Sequence, residues 1–208
     1  MIKEVYFVRH SKPLKVNNDK NIDSLQIQNE KQPLSIEGEN IAREKLNIEE
    51  LKDIDKLYSS SYVRAISTAK YIAENNNIEI NVINDFGERK FGINSWDELP
   101  DNFGEKQFLD ENYKTEFGES QKEVRDRTFN ALMNVLENDD KKIAIVFHGT
   151  AMLFLIMTWC KVVPDSDKYK IFFNGNELFC GKHFDFCETF KLTFNDNELI
   201  DIENIKHD

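Results

Sequence analysis

Lys3-Glu4-Val5-Tyr6-Phe7-Val8-Arg9-His10-Ser11 decides the fold class. Lys3 to Arg9 is apolar almost throughout and rich in β-branched and aromatic residues, so it reads as a short strand buried on both faces. Such strands belong to parallel sheets, whose crossover helices cover both sides. Working outward, Ser35-Ile36-Glu37-Gly38-Glu39 opens an amphipathic helix capped by Ser35, with Ile41, Ala42, Leu46 and Ile48 on one face. Lys56-Leu57-Tyr58-Ser59 is a second strand that runs through Ser60 and Ser61 into a helix over about 62–75, stopped by Asn75-Asn76-Asn77. Residues 78–83 alternate as a third strand, and a helix spans about 120–137. Lys142 to Phe147 is the most apolar strand, followed at once by an apolar helix over about 150–159. From Lys170 on, two or three strands are expected, with a turn at Asn195-Asp196-Asn197.

Strands alternating with helices predict an α/β fold: a three-layer α/β/α sandwich with a mostly parallel central sheet, in which ligands bind beyond the carboxyl ends of the strands. The length of 208 residues fits one domain. Two stretches resist assignment. Residues 13–34 are polar and rich in Asn, Gln and Lys, and read as partly disordered; residues 89–118 carry Phe91, Trp96, Phe103, Phe108 and Tyr113 and read as an ordered lid. The aromatics of that lid are read as its own packing.

The net charge of −11 opposes contact with nucleic acid or anionic lipid, and no apolar run approaches the roughly 20 residues that span a bilayer. A few buried arginines can still bind a small anion, because they set the field inside a pocket whatever the surface carries. The amino end shows no signal peptide, so a cytoplasmic setting is expected. Cys160, Cys180 and Cys187 are too few for a disulfide framework. Cys180, His183 and Cys187 alternate with Phe184 and Phe186 as in a strand and lack a fourth partner, so no metal site is read there.

The carboxyl ends of the proposed strands hold the chemistry. Strand one ends in Arg9-His10-Ser11, strand two leads to Ser61 and Arg64, and the Lys142–Phe147 strand ends in His148-Gly149. Taken singly, each is an ordinary structural residue; together they would bring two histidines and two arginines to one end of the sheet. His207 sits at the terminus and His183 in an amphipathic tail strand, and both are set aside.

These motifs resemble the histidine phosphatase superfamily, which includes the cofactor-dependent phosphoglycerate mutases. The matching residues are Val8-Arg9-His10-Ser11, Leu34-Ser35-Ile36-Glu37-Gly38, and Ser59 to Ala65 with Thr68-Ala69. Glu88-Arg89-Lys90-Phe91-Gly92, Gly118-Glu119-Ser120 with Arg125 or Arg127, and Val146-Phe147-His148-Gly149 complete them, in the family's order. Ser11 stands where the family usually has Gly, and Asn17 is the counterpart considered for a polar phosphate ligand that often follows. The resemblance implies His10 as nucleophile, kept unprotonated beside Arg9 and Arg64, and a clamp of Arg9, Arg64 and a protonated His148 on the phosphoryl oxygens. It also implies Glu88 as general acid and base, with Ser11, Asn17 and Gly149 lining the phosphate site.

The implied activity is a metal-independent phosphomonoesterase without cofactor, acting on a small phosphorylated metabolite through a phosphohistidine. Its partners exclude nucleic acid and membrane, and the chain is a monomer or homodimer. The alternatives are a phosphoglycerate mutase, for which the roughly 25 residues between Gly92 and Gly118 leave little room, and a catalytically weak phosphate-binding regulatory module.

Overall fold

A computed structural model describes residues 1–16 and 24–206. The leading stretch forms β1 (Ile2–Arg9). It is followed by α1 (Leu25–Lys31), α2 (Ile36–Lys45), β2 (Lys56–Ser59), α3 (Val63–Asn76), β3 (Ile80–Val82), α4 (Phe103–Leu109), α5 (Gln121–Leu136), β4 (Lys142–Phe147) and α6 (Gly149–Ile156). The remainder is all strand: β5 (Lys161–Asp165), β6 (Lys168–Phe173), β7 (Asn176–Gly181), β8 (Thr189–Asn195) and β9 (Glu198–Ile205). The main sheet has the order β3-β2-β4-β1-β8-β9, with β3, β2, β4 and β1 parallel and β8 and β9 antiparallel.

The twofold alternation of side chains along buried strands makes the three layers. Val5 and Phe7 of β1, with Ile143, Ile145 and Phe147 of β4, pack on α5 and α6 through Val124, Leu132 and Leu155. Tyr6, Val8, Ala144 and Val146 point the other way, onto Ala42 of α2, Leu46 just after it, and Ala65, Ala69 and Ile72 of α3. Both faces of the central strands are therefore sealed. Removing one fully buried ring, as in Phe7→Ala, would cost about 3–5 kcal/mol.

Local signals set the helix ends. Ser35 caps α2 by accepting from the Gly38 amide, and Ser120 and Glu123 form a reciprocal capping box at the start of α5. Asn77, at φ 52°, closes α3 in the left-handed conformation that asparagine tolerates.

The structure departs from expectation in three places. Residues 24–34, read as part of a partly disordered stretch, carry α1 and a bridge from Leu34 back to Pro13. The carboxyl-terminal region holds five strands from Lys161 on: β5, β6 and β7 form a separate antiparallel sheet, while β8 joins β1. The expected turn is present, with Asp196 and Asn197 both at positive φ between β8 and β9, as a two-residue hairpin requires. His183 lies in a bend beyond β7, not in a strand.

Candidate active site

Because β2, β4 and β1 are adjacent and parallel, their carboxyl ends lie side by side. Arg9 pairs in register with Phe147, and Ser59 with Val146. The ladders run one step further: His10 N–H donates to Phe147 O at 2.9 Å and Ser60 N–H to Val146 O at 3.0 Å. Sheet pairing thus delivers His10, Ser60 and His148 to one place, with the two imidazole rings 5.1 Å apart.

His10 is 5% exposed and its tautomer follows from its neighbours. Nδ1 lies 2.7 Å from the Ser11 carbonyl, which only accepts, so Nδ1 carries the hydrogen. Nε2 lies 3.1 Å from the Nε–H of Arg64, which only donates, so Nε2 carries the lone pair. Burial, then the charges of Arg64 and Arg9, hold the imidazole well below its ordinary pKa, so it stays neutral.

Arg64 comes from the first turn of α3, its guanidinium 4.9 Å from the centre of the Tyr62 ring and hydrogen-bonded to the Asn29 carbonyl of α1. Arg9 donates to the Phe184 carbonyl and lies 4.9 Å from the centre of the Phe186 ring, while its buried Nε has no partner among the described residues. Gly149 permits this approach, since a Cβ there would stand 3.3 Å from Arg9 Nε.

His148 is fully buried. Its Nε2 is 2.7 Å from the Ser60 hydroxyl, its ring centre 4.6 Å from that of Tyr62, and its buried Nδ1 has no partner among the described residues. Burial, followed by Arg64, His10, Arg127 and Arg9, presses its pKa well below the usual range. That burial works against the protonated His148 that the resemblance implies.

Glu88 sits where α6 begins. Rather than standing bare in an apolar wall, its carboxylate accepts from the amides of Ala151 at 3.0 Å, Thr150 at 3.2 Å and Arg89 at 2.9 Å. The turn that carries it is pinned by Arg127 of α5, which donates to the carbonyls of Asp85, Gly87 and Glu88 and grips Glu119 with two nitrogens. Of the two arginines left open by the sequence, Arg127 reaches this region; Arg125 pairs with Glu111 instead.

Ser11, implied as a phosphate ligand, makes its bonds within the fold. Its hydroxyl donates to Gly38 O at 2.7 Å and its amide to Thr68 Oγ1 at 2.9 Å, fully buried, which ties β1 to α2 and α3. Asn17 lies outside the described residues, as does His207.

Three features escaped the sequence reading. Ser60 was only part of a serine run, although its place directly after a strand was a signal. Tyr62 packs on His148 and Arg64, accepts from Gln26 of α1 at 2.8 Å, and has its hydroxyl pushed by burial up to about 12. The 182–188 loop supports Arg9 and brings His183 to a cavity shared with Arg9 and Glu88, a contact across 174 residues of chain that no local pattern announces.

A sequence model of the histidine phosphatase superfamily (branch 1) matches residues 5–175. No curated protein sequence matches. Among solved structures, a mycobacterial glucosyl-3-phosphoglycerate phosphatase shares 16% identity, with 98% of this chain and 97% of that one covered and a TM-score of 0.68. A phosphoglycerate mutase from Bacillus anthracis shares 19%, with 98% and 92% covered and a TM-score of 0.66. At these identities the likeness is one of fold.

Proposed function

The chain belongs to branch 1 of the histidine phosphatase superfamily, and from that premise we propose that it is a metal-independent phosphomonoesterase acting on a small phosphorylated metabolite. The supporting observation is the tautomer of His10, whose Nε2 lone pair lies against Arg64 while Nδ1–H is held by Ser11 O. In the first step Nε2 attacks phosphorus, the P–N bond forms, and the ester P–O bond breaks as Glu88 delivers a proton to the leaving oxygen. In the second, water attacks phosphorus, gives its proton back to Glu88, and the P–N bond breaks.

The clamp works without a charged His148. If the Ser60 hydroxyl donates to Nε2, the hydrogen of the neutral ring sits on Nδ1, and this unpartnered donor joins the free Nε–H of Arg9 and the Nη2 of Arg64 on the equatorial oxygens. Positive charge for the transition state comes from the two guanidiniums, which is why this reading assigns no metal; activity is expected to survive excess chelator. Residues 1–208 act in this reading as one domain with 89–118 as its lid.

Chemical quenching during turnover tests the proposal. An acid-labile, base-stable phosphoprotein is expected, and His10→Ala should abolish it; a label that persists in that variant would remove His10 as nucleophile. Incubation with 3-phosphoglycerate, scored for phosphate release and for isomerisation, separates hydrolysis from mutase activity.

A further inference from the structure

Beside Glu88 and Arg9 opens a cavity of about 370 Å³, within the size range of small-molecule sites. The apolar part of its lining comes from four parts of the chain: Phe108 of α4, Leu153 and Phe154 of α6, Tyr169 of β6, and Phe184 of the loop after β7. One wall is preorganised by ring contacts. Tyr169 stands 5.5 Å from Phe179 and 6.2 Å from Phe184, and Phe184 is anchored edge-on to the core ring of Phe190 at 5.1 Å. Tyr169 lies within the residues 5–175 matched by the family model, and Phe184 lies just beyond them.

The charges around the cavity are one-sided. Arg9, Arg89 and Lys182 line it, and Glu88, which accepts from amides of α6, is the one carboxylate among the lining residues. Lys182 is paired outward with Asp167. A cationic occupant would meet these groups unfavourably, and a bare three-carbon acid would leave most of the aromatic wall uncovered.

Resting on the phosphoryl-transfer reading above, we propose that this cavity holds the alcohol part of the substrate, and that the substrate is a phosphate monoester of a neutral or acidic alcohol with a ring-sized apolar face. Glu88, which would protonate the leaving oxygen, and Arg9 of the clamp both line the cavity, which sets the ring among Phe108, Tyr169 and Phe184 beside the phosphoryl group.

Phosphonates test this without turnover, because their P–C bond is not hydrolysed. Calorimetry should show 2-phenylethylphosphonate binding at least about tenfold more tightly than ethylphosphonate, as burial of a ring implies, with 2-aminoethylphosphonate the weakest of the three. Gly104 of α4 lines the same cavity, and a Cβ there meets nothing within 4 Å, so Gly104→Leu grows a side chain into the space. It should bring the phenylethyl-to-ethyl ratio close to one. Tyr169→Ala, in the aromatic part of the lining, should also cut the ratio and serves if the first variant folds poorly. A ratio near one in the unaltered protein, or one that both variants leave intact, overturns the proposal. If the ratio holds but His10 takes no label, the phosphoryl-transfer reading fails while the pocket assignment stands; if His10 is labelled and the ratio is flat, only the pocket assignment fails.

Discussion

Arg64 is already engaged in the fold through two nitrogens: its Nε fixes the lone pair of His10 and its Nη1 donates to the Asn29 carbonyl, which leaves Nη2 for a phosphoryl oxygen. Lysine keeps the charge and loses the fork, so Arg64→Lys should lower kcat at least about tenfold, the order expected for one charged hydrogen bond of roughly 1.5–3 kcal/mol. An unchanged kcat/KM would take Arg64 out of the clamp. Glu88 is harder to read by substitution, because the same carboxylate caps α6, and Glu88→Gln weakens the cap as well as removing the acid. The leaving group separates the two effects. An alkyl ester releases an alkoxide too basic to depart unprotonated, whereas a nitrophenyl ester needs little help. Glu88→Gln should cost about 10²–10⁴ on the alkyl ester and clearly less on the aryl one when phosphorylation of His10 limits the rate. Equal losses would assign Glu88 to the second step or to the cap alone.

At the scale of elements, what could be read from sequence followed burial. β1, β2 and β4 were legible because a strand sealed on both faces must be apolar throughout, and Arg9, His10, Arg64 and His148 became a site once those strands were laid parallel. Glu88 was found by resemblance alone, since nothing local distinguishes it from Asp85 or Asp97. The helix α1 was hidden because none of its residues is buried and no apolar stripe marks it. The strands after Lys161 were miscounted because antiparallel pairing with β1, some 190 residues earlier, is a tertiary choice that alternation does not encode. Arg127 could be narrowed only to one of two arginines, as its three carbonyl partners lie about 40 residues upstream. Its side chain and that of Glu119 are 18% and 17% exposed. Arg127→Met strips the cation from Glu119, which keeps only the Lys90 amide, and the donor from the Asp85 and Gly87 carbonyls, so urea denaturation should show a loss of about 2–4 kcal/mol, with kcat on alkyl esters falling as the Glu88 turn loosens. A stability change within about 0.5 kcal/mol would show that the turn holds without it.

For the whole molecule, two electrostatic effects of opposite sign meet in mild acid. The net charge of −11 repels itself, and protonating surface carboxylates would relieve that repulsion and favour the folded state. The buried imidazoles act the other way. His10 and His148 are both held well below 6.5, first by burial and then by the arginines facing them, Arg64 and Arg9 around both rings and Arg127 toward His148. The unfolded chain therefore takes up protons at these two positions before the folded one does, and stability rises with pH across that interval. The contribution is fully present above the unfolded value and is lost from about pH 6.5 downward, toward the depressed folded values, with a limiting slope of about 2.7 kcal/mol per pH unit for two protons. Glu39, Glu119 and Glu123, all lowered from 4.5, lose their own contributions only at more acid pH, so the span from 6.5 to 5 belongs to the histidines. The urea midpoint should fall between pH 7 and pH 5, and His148→Asn should make the decline shallower by close to one proton. A midpoint that rises over that span would mean that the surface charge dominates, and a flat one that the folded protein protonates its imidazoles as readily as the unfolded chain.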